Sequence, residues 1–158
     1  MFREVVRFKQ ALSPEASAEV LKAQVRGVLS VQGDDGYPYA LPIDYYYNPQ
    51  DGHLYFHSGK TGHKMDAIEK DDKVSFCVID EGFRRPGEWA LNFQSVIVFG
   101  RIRKVEDPEK ANEMIRKLCY RFTDDLLYIE QEFRRSGANT VCLELIPEHI
   151  TGKRVNES

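Results

Sequence analysis

Apolar positions along the chain change period several times, and the changes divide it into elements. Over residues 13–26, SPEASAEVLKAQVR, Ala16, Val20 and Ala23 recur at helical spacing, with Val20 and Leu21 facing inward. Ser13 is a suitable cap, Pro14 fits the first turn, and Gly27 can end the helix. From there the pattern shortens to strands: GVLSVQG (27–33), YPYALPIDYYY (37–47) and HLYFHS (53–58), separated by the turns DDG (34–36) and NPQDG (48–52). Pro38 and Pro42 lie four apart, on one side of the second strand, which marks an edge or a bulge. GHKMDAIEKDD (62–72) returns to helical spacing, with Met65 and Ile68 inward. KVSFCVID (73–80) alternates Val74, Phe76 and Val78 against Lys73, Ser75 and Cys77. After the loop EGFRRPGEW comes a long strand, ALNFQSVIVFGRIRKVE (90–106), in which Gly100 predicts a bulge or bend. Helices follow over 107–122, opened by Asp107 and Pro108, and over 124–137. A last strand, 139–155, is interrupted by Pro147. Five or six antiparallel strands with inserted helices define an α+β fold with a barrel-like sheet, and 158 residues without repeat or linker fit one domain.

Charge narrows the partners. The net charge of −3 and a pI near 5.8 disfavour nucleic acid, which needs a basic face. No apolar run reaches the ~20 residues that cross a bilayer, and the first ten residues lack the continuous apolar stretch of a secretory signal. Cys77, Cys119 and Cys142 are odd in number and set in apolar sequence, which fits reduced, buried thiols in a cytoplasmic protein. The four histidines form no H-E-x-x-H or other ligand spacing, so no metal site is expected.

The stretch with the most chemistry is HSGKTGHK (57–64). Its Gly59-Lys60-Thr61 looks like the end of a triphosphate loop, but Leu54 stands where that loop needs glycine. A smaller anion site is compatible with it. Ser58 offers a hydroxyl, Gly59 and Gly62 allow close backbone approach, the helix start offers free N–H groups, and Lys60, His63 and Lys64 supply charge. The competing reading of the same residues is a glycine-bearing strand-to-helix turn with solvated lysines.

YPYALPIDYYY, GHLYFHSGKTGHKMDAIEKDDKVSFCV and NFQSVIVFGRIRKVED together resemble the flavin-nucleotide-binding branch of the pyridoxamine 5'-phosphate oxidase-like split-barrel superfamily, and within it the nitroimidazole-resistance group. The resemblance spans roughly 15–155. It implies a six-stranded antiparallel split β-barrel with inserted helices over residues 1–158, a homodimer, and two FMN molecules at the subunit interface. It places Ser58, His63 and Lys64 on the FMN phosphate, although the family often has arginine-lysine at the last pair. It places Leu41, Pro42, Ile43 and Asp44 along the isoalloxazine edge, and Gln94 and Ser95 on a neighbouring strand that hydrogen-bonds the flavin. His57, on the opposite face of its strand from Ser58, falls beside the substrate pocket, where it could pass a proton or bind an anion. A half-buried histidine bonded into the barrel is the competing reading.

The activity this implies is FMN-dependent reduction of a small organic or nitro-aromatic compound. A non-catalytic flavin- or haem-binding protein is the alternative, with His57 and His149 as haem-ligand candidates. Pyridoxamine 5'-phosphate oxidase activity fits less well, because the ending ITGKRVNES lacks the arginine-leucine segment of those enzymes. Tyr45, Tyr46, Tyr47, Trp89, Phe93 and Phe99 supply aromatic surface for core or dimer interface.

Overall fold

The computed structural model describes residues 1–157. Its centre is one antiparallel sheet of seven strands in the order β2-β1-β5-β6-β7-β4-β3. The strands are β1 (Arg26–Gln32), β2 (Pro38–Asp44), β3 (Tyr46–Asn48), β4 (His53–Gly59), β5 (Lys73–Ile79), β6 (Asn92–Lys104) and β7 (Thr140–Asn156). The helices are α1 (Pro14–Ala23), α2 (His63–Lys70), α3 (Pro108–Cys119) and α4 (Leu126–Ser136). The sheet curls until β2 touches β4, which makes a half-barrel. Among the described residues no helix is long and apolar enough to cross a membrane.

The seventh strand corrects the six-strand expectation, and the cause is one side chain. Sequence 37–47 alternates without a break, but Tyr45 leaves the ladder. Its amide donates to the Val25 carbonyl (3.0 Å) and its hydroxyl to the Leu21 carbonyl (2.8 Å). Buried there, Tyr45 sends the chain from one edge of the sheet to the other, so β2 pairs with β1 while β3 pairs with β4. β2 is an edge strand, so its two prolines cost no ladder bond to a further strand.

β6 and β7 are long enough to serve both halves of the barrel. Their register shifts between Phe99 and Gly100, which face His149 and Pro147, so Glu148 is the extra residue of a bulge. At Gly100 the β7 backbone comes so close that an added Cβ would overlap the Ile146 carbonyl. Pro147 sits beside the bulge, and β7 runs through it unbroken, in place of the expected interruption.

Leu29, Val31, Leu54, Phe56, Phe76, Val78, Val96, Val98, Leu143 and Leu145 fill the barrel. Phe76 packs edge-on against both Tyr45 and Phe56, with ring centroids 5.1 and 5.2 Å apart. α1, capped by Ser13 (Ala16 amide to Ser13 Oγ, 3.1 Å), closes the barrel with Val20 and Leu21. A second cluster, Tyr55, Met114 and Cys142, lies on the outer face of β4 and β7 under α3. The cysteine expectation holds only for Cys142; Cys119 is partly buried and Cys77 is exposed, on the outward side of alternating β5. Trp89 and Phe99 are likewise exposed.

Candidate functional site

β4 buries Leu54, Phe56 and Ser58 inside the barrel and turns His53, Tyr55 and His57 outward. Ser58 is thus a buried polar residue at the end of a core strand, its hydroxyl donating to the Gly59 carbonyl (2.9 Å). The chain then leaves the barrel and enters α2 at Gly62, whose φ of +128° is open to glycine but strained for side chains. An added Cβ would meet no atom within 4 Å at Gly62 and only the Thr61 carbonyl, at 4.0 Å, at Gly59, so both sides of the turn are open. The Gly62 carbonyl accepts the Asp66 amide (3.0 Å), and no side chain caps the helix, leaving the first-turn amides free.

Met65, Ala67 and Ile68 anchor α2 to the core. That anchoring holds Lys64 against the barrel wall, half-buried and without an ion pair among the described residues. Burial lowers its pKa, because the ammonium has lost water and gained no anion. His63 stacks on Tyr39 of β2 at 4.1 Å and lies 3.8 Å from Asp34. Asp44, at the end of β2, is ion-paired with Arg26 at 2.6 Å. Asp44 and Lys64 both act on His57: burial lowers the imidazole pKa first, Asp44 opposes and Lys64 reinforces.

The strand-to-helix turn therefore gathers Ser58, His63, Lys64, His57 and Asp44 in one region. Leu41 and Ile43 turn their side chains into the core, so only their backbone faces outward, whereas Pro42 is exposed. Gln94 and Ser95 are not brought there within one chain. They lie on β6, with β1 and β5 between them and β2, and the Gln94 backbone is held by Asp80 through two bonds of 2.9 and 3.0 Å.

Two features escape the sequence reading. The first is a carboxylate, Glu144, buried on β7 between β4, β6 and α3. It accepts from Tyr55 (2.7 Å), Lys110 (3.0 Å) and Arg103 (3.0 Å) and bonds His53 Nδ1 (2.8 Å). Burial works to raise its pKa, but bonds from His53, Tyr55, Lys110 and Arg103 outweigh it and hold the pKa at about 2. Asp51, His53 and Glu144 have ligand atoms within 4.8 Å of one another, but Arg103 and Lys110 already pair with the Glu144 carboxylate that a metal would need. The signal for this network was a lone glutamate inside the apolar run CLELI, opposite alternating His53, Tyr55 and His57. The second feature is a cavity of about 550 Å³ between α3, α4 and β7, with His57 in its wall. His149, in contrast, stacks on Phe2 at 5.1 Å and meets the Arg3 carbonyl at 3.3 Å.

A curled antiparallel half-barrel with inserted helices and an open strand-to-helix turn defines a small split-barrel protein. The chain belongs to the pyridoxamine 5'-phosphate oxidase family, whose sequence profile matches residues 13–154. No curated protein sequence matches it. Among solved structures it is similar to a candidate 5-nitroimidazole antibiotic resistance protein from Bacteroides thetaiotaomicron, at 18% identity and a TM-score of 0.76, covering 92% of this chain and 87% of that one. It is similar to a FAD-binding protein from Mesorhizobium loti, at 26% identity and a TM-score of 0.66, covering 92% and 97%. A FAD- and haem-binding protein from Mycobacterium smegmatis aligns at 21% identity and a TM-score of 0.70, covering 92% and 72%.

Proposed function

We propose that this chain binds FMN and works as a flavin-dependent oxidoreductase on a small organic or nitro-aromatic compound. The observation that carries the reading is Lys64: a half-buried cation with no anion partner among the described residues, beside two open glycines and a free helix start. A flavin phosphate supplies the missing anion; His63 and the first-turn amides of α2 would hold it with Lys64, and Ser58 would join them once its hydroxyl turns from the Gly59 carbonyl. Pro42, Asp44 and the backbone of Leu41 and Ile43 would border the ring. Bound flavin supplies the hydride and electron chemistry. His57 then has a definite task. Kept neutral by its surroundings, it can donate a hydrogen bond to the substrate or accept a proton from it.

Gln94 and Ser95 join this site only from a second copy, so the reading includes a homodimer. Support comes from the outward face of β1, β5 and β6, where Val28, Ile79, Ile97 and Phe99 are all exposed around Cys77. Such a continuous apolar patch favours a self-complementary contact.

Titrating stripped protein with FMN, FAD and riboflavin tests the phosphate cradle. FMN is expected to bind about tenfold to a hundredfold more tightly than riboflavin, the worth of a charge-assisted contact. Equal affinities would place the phosphate outside the cradle. The FAD arm decides between mononucleotide and dinucleotide, since the Mesorhizobium and Mycobacterium proteins are FAD-binding. Anaerobic mixing with NAD(P)H and a nitroimidazole then tests turnover; a reduced flavin that no acceptor reoxidises would favour binding without catalysis.

A further inference from the structure

The cavity under α3 and α4 has no part in holding a flavin phosphate, and its walls have a chemistry of their own. Val105, Ala111, Ile115, Ile129, Phe133 and Val141 make it mostly apolar. Its volume of about 550 Å³ suits a drug-sized ligand. Two observations show why α4 does not settle onto the sheet and close it. Of the eleven residues of α4 only Ile129 is buried. Arg116 of α3 props the two helices, with its guanidinium 4.2 Å over the Phe133 ring and ion-paired with Glu130.

The charges around the cavity cancel. Glu132 is bonded to Arg135 at 2.6 Å, and exposed Lys104 and Glu106 at the rim are of opposite sign. The two thiols in the wall are uncharged as well. Burial raises both, Cys142 to about 12 with Glu144 adding and Lys110 opposing, so neither is a nucleophile at neutral pH. Ser136 and Thr140 spend their hydroxyls on the Glu132 and Ser136 carbonyls (2.8 and 2.9 Å). Six polar side chains in the wall have no hydrogen bond among the described residues: Lys104 and Glu106 at the rim, and Asn112, Cys119, Tyr128 and His57. Of these, His57 also feels Asp44 and Lys64, so it stands between the cavity and the cationic turn.

We propose that this cavity is the chamber for an uncharged, largely apolar small organic molecule, which meets the flavin site at His57. The chamber itself stands on the cavity alone; the junction at His57 rests on the flavin reading.

The test uses full-length protein and the neutral probe N-phenyl-1-naphthylamine, with its sulfonated relative 8-anilinonaphthalene-1-sulfonate as the charged control. Gly137 and Asn112 line the cavity at exposed positions, and a side chain added at Gly137 meets no atom within 4 Å. Gly137→Trp and Asn112→Trp are therefore expected to plug the cavity with the fold intact, as circular dichroism would report. By calorimetry, each should weaken the neutral probe about tenfold, and the sulfonate should bind wild type more weakly than the neutral probe. The His57 ring signals in an NMR titration should shift with the probe, and those of His149 should not. Failure of the neutral probe to bind, undiminished binding in both plugged variants, or equal binding of the sulfonate would overturn the chamber. Probe binding with an unmoved His57 would overturn the junction. Lys64→Ala separates this from the flavin reading: it should weaken flavin and leave the probe, so either claim can fail without the other.

Discussion

Lys64 is the residue on which opposite effects should meet. Its ammonium is held away from water by the anchoring of α2, with no anion among the described residues to compensate. Lys64→Met should thus stabilise the ligand-free protein by about 0.5–1 kcal/mol, a gain typical of removing an unfavourable group kept for function. The same change should weaken FMN by roughly tenfold to a hundredfold, because one charge-assisted phosphate contact is lost. Urea unfolding of stripped protein and a flavin titration read the two signs separately. A variant that loses stability and keeps its flavin affinity would show Lys64 to be an ordinary packing residue. His57 gives a pH signature. Its folded pKa lies below the ordinary histidine value, so the unfolded chain binds the proton more readily. Its contribution to stability is present above about pH 6.5 and is lost as the pH falls through the folded value. His57→Gln should therefore lose less stability than wild type between neutral and mildly acidic pH, measured as the shift in urea midpoint.

At the scale of elements, Glu144 ties four of them together. His53 and Tyr55 reach it from β4, Arg103 from β6 and Lys110 from α3, across the β7 strand that carries it. Glu144→Gln leaves those donors facing a neutral amide. Since Arg103 and Lys110 can turn to water, a cost of about 2–3 kcal/mol is expected, at or below the lower end for a broken buried pair. With a folded pKa of about 2 against an ordinary value of 4.5, the carboxylate stabilises the fold above about pH 4.5 and loses that contribution as the pH falls toward 2. The Gln variant should lack that acid-side decline. Gly100→Ala should cost about 2–3 kcal/mol for the overlap with the Ile146 carbonyl, with the β6–β7 amides exchanging faster. These elements also show what the sequence could and could not reveal. The alternation of β5, the cap and inward pair of α1, the edge prolines of β2 and the turn at 58–64 are local signals, and the structure keeps them. The break at Tyr45 has no glycine or turn residue to announce it, because it is made by carbonyls of Leu21 and Val25 that only the fold brings near. Glu144 is hidden for a similar reason: its partners sit 34 to 91 residues away. Leu41 and Ile43 share the β2 alternation, but only the curl of the sheet decides that this face is the inner one.

For the whole molecule, the separation of Gln94 and Ser95 from Lys64 makes flavin binding and dimerisation a single claim. One chain offers the cationic turn after β4, beside the Thr140 end of β7, and the polar end of β6 beside the Arg154 end of that same long strand. The protein should sediment at twice 18.3 kDa. Ile97→Arg, in the middle of the exposed apolar face, should yield a folded monomer that has lost flavin affinity, even though Ile97 lies on β6 and not in the cationic turn. A monomer that keeps full affinity would separate the two. The most direct measurement of the central claim is the visible absorption spectrum of the purified protein, repeated after addition of FMN and removal of the excess. The paired flavin bands are expected, at one flavin per chain in the dimer. A colourless protein that retains no FMN, or one that shows a Soret band alone, would contradict that claim.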